Sequence, residues 1–364
     1  MKKLVVGSLV MLLMLTMVGF SFASQNQGNE KVSWDITWDD LGTEGPEAFY
    51  FVQPKIAVAA SSLLANDVAN VILDNSGNYT FFKKQGSSSG DVEDRTGVTM
   101  YIKGFGAMDK FEMKDYTKFE NTNYGGIIGF DWDRQYSDNF DATYGLFVAY
   151  AENELKEEDY EDDKISSKNG FAGLRGNWYI GKLFFGAVLD YGYLAQKVEM
   201  KDGGFEYDND YKIQSIGFSA KAGYNFEVAE KSFTIQPNVV FNSNYLLVEE
   251  YDLPFDGPDY TLKTKAEDVY NFAVAPGLKI AKTLGKCWIV TAEGKYVFVS
   301  DNGKIKYESD YEEVGFPDTY YKEYASCGIG IEKIWGYTVL HIKGHKTFCG
   351  RDGYMVNAGI EFKF

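Results

Sequence analysis

The sequence predicts an all-β protein: a twelve-stranded antiparallel transmembrane β-barrel with an N-terminal α-helix that threads or plugs its lumen. Three observations predict it: apolar and polar residues alternate from about residue 98 to the end, long and short connections alternate, and an alanine-rich segment precedes the first strand. The composition of 27 Tyr, 27 Phe and 38 Gly against 7 Pro is typical of membrane strands with aromatic girdles.

The alternation has a period of two, which is the period of a β-strand. It is clearest in the segment 354–364, where apolar residues at even positions are interleaved with polar or small ones. Along the strands the second face carries charges of both signs, namely Lys221, Lys279, Glu293, Lys295, Glu332, Lys343 and Glu361. Because a wet lumen accepts such charges and lipid accepts the apolar face, the pattern favours a membrane barrel over a soluble sandwich.

The pattern contains twelve strands, an even number as expected for a single-chain bacterial barrel. Their predicted centres are Ile102, Ile128, Leu146, Leu174, Val188, Ala220, Val239, Val274, Val290, Ile329, Leu340 and Ile360.

The connections alternate between long and short, as external loops and periplasmic turns do in outer-membrane barrels. The predicted long loops are 111–124, 152–169, 197–211, 249–267 and 300–320, with a shorter one at 346–352. The predicted turns are Ser137 to Asn139, Gly181-Lys182, Ala229 to Lys231, Leu284 to Lys286 and Trp335-Gly336. This order places the C-terminus in the periplasm.

Four segments are expected: a signal peptide (1–23), a short N-terminal segment (24–50), a helix with its linker (51–97) and the barrel (98–364). The first has two lysines, an apolar stretch and small residues at Ser21 and Ala23, which is typical of a cleaved export signal. The net charge of −17 argues against nucleic-acid binding. The three cysteines have no paired spacing, so no disulfide framework is expected.

The predicted helix begins at Gln53-Pro54, because proline favours the first helical position, and reaches Leu73. About 20 residues give about 30 Å, enough to thread a barrel. Small residues suit a narrow lumen better than the alternative, an amphipathic helix packed outside. The residues assigned to this pore helix are Pro54, Ala57, Ala60, Ser61, Ala65 and Ala69.

The last eight residues end on phenylalanine in a polar-x-Gly-x-x-aromatic-x-aromatic order. This order resembles the signal by which the outer-membrane assembly machinery recognises its clients, by strand addition to a sheet edge. The signal residues are Asn357, Gly359, Phe362 and Phe364.

From about Phe51 to Phe364 the chain resembles the C-terminal translocator of autotransporters, in which a pore helix precedes a twelve-stranded barrel. The glycine-rich run Gly125 to Asp131 is similar to the family's second strand, and Gly294-Lys295-Tyr296 to a late-strand pattern. The resemblance implies that the barrel delivers an N-terminal passenger to the cell surface. Only about 27 residues separate Ser24 from Tyr50, so a vestigial passenger is expected. Asn66 and Asn70 stand apart where the family has an Asn-Asn cleavage pair, so self-cleavage by that route is not expected.

Little in the sequence indicates catalysis, and no cofactor or metal is expected. The two histidines, His341 and His345, lie about 13 Å apart on one strand face, which favours lumen-lining residues over a metal pair. A rim enzyme using His345 with Asp109 or Asp352 is the weaker alternative.

The densest charge run, between Glu152 and Asp163, is interpreted as a solvated acidic loop rather than a calcium site. Trp34 and Trp38 belong either to an exposed recognition peptide or to a short strand against the barrel.

Two functions follow. The first is an integral outer-membrane barrel that anchors or translocates a very short surface segment, or stands alone at the surface. The alternative is a passive porin-like channel or an adhesin with acidic external loops. In either case the expected partners are the outer-membrane lipid bilayer and the assembly machinery, and the chain is expected to be a monomer.

Overall fold

A computed structural model describes residues 47–74, 97–112, 118–137, 139–157, 164–202, 205–228, 233–254, 261–266, 269–285, 287–301, 305–308 and 323–364. The expected signal peptide, Trp34, Trp38 and the part of the acidic run at 158–163 lie outside these ranges. The elements are α1 (Glu47–Leu73), β1 (Gly97–Glu112), β2 (Lys118–Ser137), β3 (Phe140–Glu157), β4 (Lys164–Ile180), β5 (Leu183–Asp202), β6 (Phe205–Tyr224), β7 (Phe226–Val228), β8 (Phe233–Val248), β9 (Tyr251–Pro254), β10 (Thr261–Ala266), β11 (Val269–Leu284), β12 (Trp288–Asp301), β13 (Ile305–Glu308), β14 (Glu323–Trp335), β15 (Thr338–Phe348) and β16 (Asp352–Lys363).

Twelve of these strands form one closed antiparallel barrel, which confirms the predicted fold class. Its members are β1 to β6, β8, β11, β12 and β14 to β16, and each predicted strand centre lies within one of them. The barrel closes where β1 pairs with β16, from Thr99 opposite Lys363 to Lys110 opposite Asp352. We call this pairing the seam. Short β7 extends the β6 side and pairs with β8, while β9, β10 and β13 form a separate three-stranded sheet.

The strands are longer at one end than the sequence indicated. Strands β2, β5 and β6 have 20 residues each, whereas about 9–11 cross a bilayer. The predicted long loops 111–124, 152–169 and 197–211 are therefore mostly strand, because hydrogen-bonded pairing continues beyond the apolar band. We call this the long-strand end and the opposite one the short-turn end.

Three of the predicted tight turns are found at the short-turn end, whereas Ala229 to Lys231 and residue 138 lie outside the described residues. Gly181, Gly285 and Gly336 have φ angles of 61°, 62° and 57°, a left-handed conformation that glycine adopts without a side-chain penalty.

Outward side chains are mostly apolar, whereas the inward face holds the buried polar and charged side chains together with apolar ones such as Ile127 and Phe147. Leu174 and Ile329 are 61% and 73% exposed on the outside, whereas the inward Asn121 is fully buried. Exposed aromatic residues form two groups. The group near the short-turn end is Trp132, Tyr136, Tyr144, Phe226, Trp288, Trp335, Tyr337 and Phe364. The group nearer the long-strand end is Tyr124, Tyr150, Tyr191, Tyr193, Tyr270, Tyr296 and Tyr354. Ten residues separate Tyr354 from Phe364, about 34 Å along the strand and about 26 Å once a tilt of about 40° is applied. This height matches the hydrophobic band of an outer membrane.

Candidate functional site

Helix α1 lies inside the barrel. Hydrogen bonds join its residues and Asp74 to five barrel strands, β5, β8, β2, β1 and β16. They are Gln196 Nε2 to Ser61 Oγ (3.2 Å), Asn244 Nδ2 to Asn66 Oδ1 (2.8 Å), Asn123 Nδ2 to Asp67 Oδ2 (3.1 Å), Lys103 Nζ to the Val71 carbonyl (3.3 Å) and Asn357 Nδ2 to Asp74 Oδ2 (3.1 Å). The segment Ile56–Leu73 is long and apolar enough to cross a membrane by itself, yet most of it is buried inside the protein. The alternative of a helix packed outside the barrel is therefore wrong.

Small side chains let the helix approach the wall closely. Ala57, Ala60, Ser61, Ala65 and Ala69 are all buried, with at most 3% of each residue exposed. The helix packs directly on β5, β6 and β8 and reaches the other walls through longer polar side chains.

The predicted start of the helix is wrong. It begins at Glu47, so Pro54 lies in the second turn rather than at the first helical position. Because proline lacks an N–H group, the helix forgoes one bond to the carbonyl of residue 50 there and continues. The preference of proline for first positions is a tendency that the longer helical segment overrides.

The direction of α1 follows from its partners. Ser61 bonds to Gln196 near the long-strand end of β5, whereas Asp74 bonds to Asn357 in the middle of β16. Strand β1 then starts at Gly97, at the short-turn end. Helix α1 thus occupies the half of the lumen nearer the long-strand end, with its N-terminus pointing to that end.

Charged side chains fill the lumen near the short turns. Arg175 Nη2 lies 2.7 Å from Asp131 Oδ2, and its guanidinium lies over the Tyr101 ring at 4.8 Å from the centroid. Lys103 Nζ lies 3.8 Å from Glu361 Oε1. Because Lys103, Asp131 and Arg175 are shielded from bulk water, pairing with opposite charges is needed to offset their desolvation. The alternation placed Glu361 inside, but the other four were missed because their pairing depends on strand register.

A second charged cluster lies at the C-terminal end of α1. Lys343 Nζ is 2.9 Å from Asp74 Oδ1 and 2.9 Å from Glu293 Oε2. His345 Nδ1 lies 3.3 Å from Glu293 Oε1. The two carboxylates and the imidazole are close enough to hold a metal ion, but the ammonium group of Lys343 already lies between the carboxylates. The geometry therefore favours an ion-pair cluster.

The rim residues considered for catalysis do not come together. Asp109 accepts a bond from Arg351 Nε at 2.8 Å, and Asp352 pairs with Lys346. His345 instead faces Glu293 and Asp74, and His341 packs over Gly359. Both histidines line the lumen, as the strand spacing predicted.

A small solvent-connected cavity lies beside α1, on the side away from β5 and β6. Asn242, Asn271, Tyr324 and Arg351 are among its lining residues. The helix therefore leaves a narrow polar space along one wall.

The C-terminal signal residues lie on β16. Asn357 points inward to Asp74, and a Cβ atom on Gly359 would lie 2.5 Å from His341 Cε1. Phe364 is 78% exposed, and its amide donates to the Val98 carbonyl across the seam. These positions pair with β1 where the barrel closes, and their role in assembly stays a prediction.

A closed barrel with an apolar belt, aromatic girdles and an internal helix defines an outer-membrane barrel with an occupied pore. Residues 100–314, more than half of the chain, match the family model described as the autotransporter beta-domain, and the chain belongs to that family. No curated protein sequence matches the chain.

Solved structures agree on the fold. The chain is similar to the transport unit of the autotransporter AIDA-I from Escherichia coli, with 16% identity over 79% of this chain and 99% of that one and a TM-score of 0.58. It is similar to the beta domain of the Bordetella autotransporter Brka, with 14% identity over 74% and 100% and a TM-score of 0.57. It is also similar to the translocator domain of NalP from Neisseria meningitidis, with 11% identity over 81% and 98% and a TM-score of 0.57. The chain is an outer-membrane translocator or anchor of Gram-negative bacteria.

Proposed function

We propose that this barrel anchors the segment before α1 in the outer membrane and displays it at the cell surface. The observation that carries the proposal is the direction of α1, whose N-terminus points to the long-strand end. Long connections face the outside in outer-membrane barrels, so the chain before Glu47 leaves the lumen on the outer side.

The remaining expectations belong to the same proposal. The chain is exported by its N-terminal signal, is recognised by the assembly machinery through Asn357, Gly359, Phe362 and Phe364, and works as a monomer. It has no catalytic role, which the pairing of His345 with Glu293 and Asp74 supports.

Surface proteolysis tests the display. An epitope tag inserted after Ser24 is expected to be removed when intact cells are treated with protease. A second tag placed in the short turn at Gly181-Lys182 faces the periplasm and should survive unless the cells are lysed. Protection of the first tag in intact cells, with loss after lysis, would show that the segment stays inside.

The channel alternative has one observation in its favour, the polar cavity beside α1. The helix occupies the rest of the outer half of the lumen, so at most a narrow leak for small ions is expected.

A further inference from the structure

We propose that the C-terminal end of α1 acts as a clasp across the seam, so that insertion of the helix and closure of β1 on β16 stabilise each other. The clasp consists of the Val71 carbonyl and the Asp74 carboxylate. The inference concerns the barrel itself and does not depend on whether the N-terminal segment is displayed.

The seam is the one place where the barrel joins strands that are distant in the chain. Each other neighbouring pair of barrel strands is consecutive, whereas β1 and β16 meet through twelve residue pairs without a connecting turn. The entropy of closing this long loop opposes the pairing, and an open seam would expose two strand edges. Contacts that bridge the seam therefore have a large effect on whether the barrel stays closed.

The clasp reaches both sides of the seam. On β1, Lys103 Nζ donates to the Val71 carbonyl at 3.3 Å. On β16, Asn357 Nδ2 donates to Asp74 Oδ2 at 3.1 Å, and on neighbouring β15 the ammonium group of Lys343 lies 2.9 Å from Asp74 Oδ1. The helix end thus binds three adjacent strands, of which the first and the last of the barrel are two.

Burial makes these contacts strong. Lys103 is 1% exposed, Asn357 2% and Lys343 8%. A buried donor that loses its acceptor bears a desolvation cost that water cannot relieve. Lys103 and Lys343 also have barrel partners, Glu361 and Glu293, so the barrel can still close without the clasp, but less tightly.

The partial negative charge at the C-terminal end of α1 is balanced by cations that belong to the barrel wall and not to the helix. The last turn of α1 contains no basic residue, although its unpaired carbonyls carry partial negative charge. Lys103 and Lys343 supply the positive charge from the barrel wall. The negative end of the helix and the lysines on β1 and β15 therefore have complementary charges.

A contact between the helix and the barrel wall away from the seam provides a control for the clasp. Asn66 accepts a bond from Asn244 on β8 at 2.8 Å, on a wall away from the seam. Its loss removes a helix-to-barrel bond without touching β1, β15 or β16.

Hydrogen–deuterium exchange of the full mature chain, folded in lipid nanodiscs, tests the proposal strand by strand. In Asp74→Ala we expect backbone exchange in β1 and β16 to be about tenfold faster, a typical coupling between two sites, with β3 and β4 unchanged. Asn66→Ala should leave β1 and β16 at the wild-type rate.

Three results would overturn the clasp: unchanged exchange at β1 and β16 in Asp74→Ala, equal acceleration in all strands, or the same seam acceleration in Asn66→Ala. If Asp74→Ala does not fold, Asp74→Asn replaces it, because the amide keeps one acceptor oxygen for Asn357 but loses the charge and places an NH2 group, which cannot accept a bond, opposite Lys343. We then expect a smaller acceleration confined to β1 and β16, and wild-type rates there would overturn the proposal.

Discussion

Tyr101 and Gly129 show how single residues set the shape of the lumen. Tyr101 on β1 is 1% exposed, and its ring lies directly over Gly129 of β2. A Cβ atom on Gly129 would lie 2.2 Å from Tyr101 Cζ, closer than any real contact. Glycine at this position therefore lets the ring lie flat on the wall beside Arg175.

Gly129→Ala is expected to lower the free energy of unfolding by about 1–3 kcal/mol, the usual cost of overpacking. Gly126→Ala, three residues away on the same strand, is the control, because its nearest atom is 3.7 Å distant. Urea unfolding from lipid bilayers measures both. Adding Tyr101→Ala to Gly129→Ala should remove the clash, so additive costs in the double variant would contradict the ring position.

Which side chains face the lumen was predictable wherever the alternation of apolar and polar residues alone determines it. The inward placement of Lys221, Lys279, Lys343 and both histidines followed from alternation, and all five line the lumen. Their partners were not predictable, because Lys343 meets Asp74 across 269 positions of sequence. Such a pair depends on the depth of the helix and on strand register together.

At the scale of elements, each long strand has a lipid-facing part and an extension that lies beyond the membrane. Val148 on β3 is 57% exposed in the apolar belt, whereas Glu154 lies six residues further along the same face, beyond Tyr150. The first position faces hydrocarbon and the second faces water or headgroups.

Val148→Arg is expected to destabilise the barrel by about 2–4 kcal/mol, because a cation on the lipid face is costly near the bilayer centre. Glu154→Arg should cost less than about 1 kcal/mol, since surface ion pairs contribute little. Equilibrium folding into bilayers measures the difference, and equal costs at the two positions would place both outside the membrane.

Strands were easier to predict than their ends. Periodicity and turn residues predicted all twelve barrel strands, but long connections were interpreted as loops where pairing continues. In these extensions buried apolar residues such as Phe119, Leu155 and Ile165 are spaced among charged and amide residues, so the hydropathy pattern was interpreted as that of a loop. The helix was predicted from small residues, and its start was wrong by several residues because Pro54 was taken as a boundary.

The whole molecule is a closed membrane cylinder with a helix in the half of the lumen nearer the long-strand end. The aromatic girdles, the closed ladder and the polar lumen each support the cylinder. A barrel of twelve strands is wider than the eight-stranded barrels whose side chains fill the interior, so the helix is needed to occlude it.

Single-channel conductance in planar bilayers tests this arrangement most directly. The mature chain is expected to show low conductance, and removal of residues 47–74 should raise it several-fold by opening the lumen. A chain that lacks residues 24–46 but keeps α1 is the control and should conduct like the intact one. High conductance of the intact chain, or no change when α1 is removed, would contradict a lumen occluded by the helix.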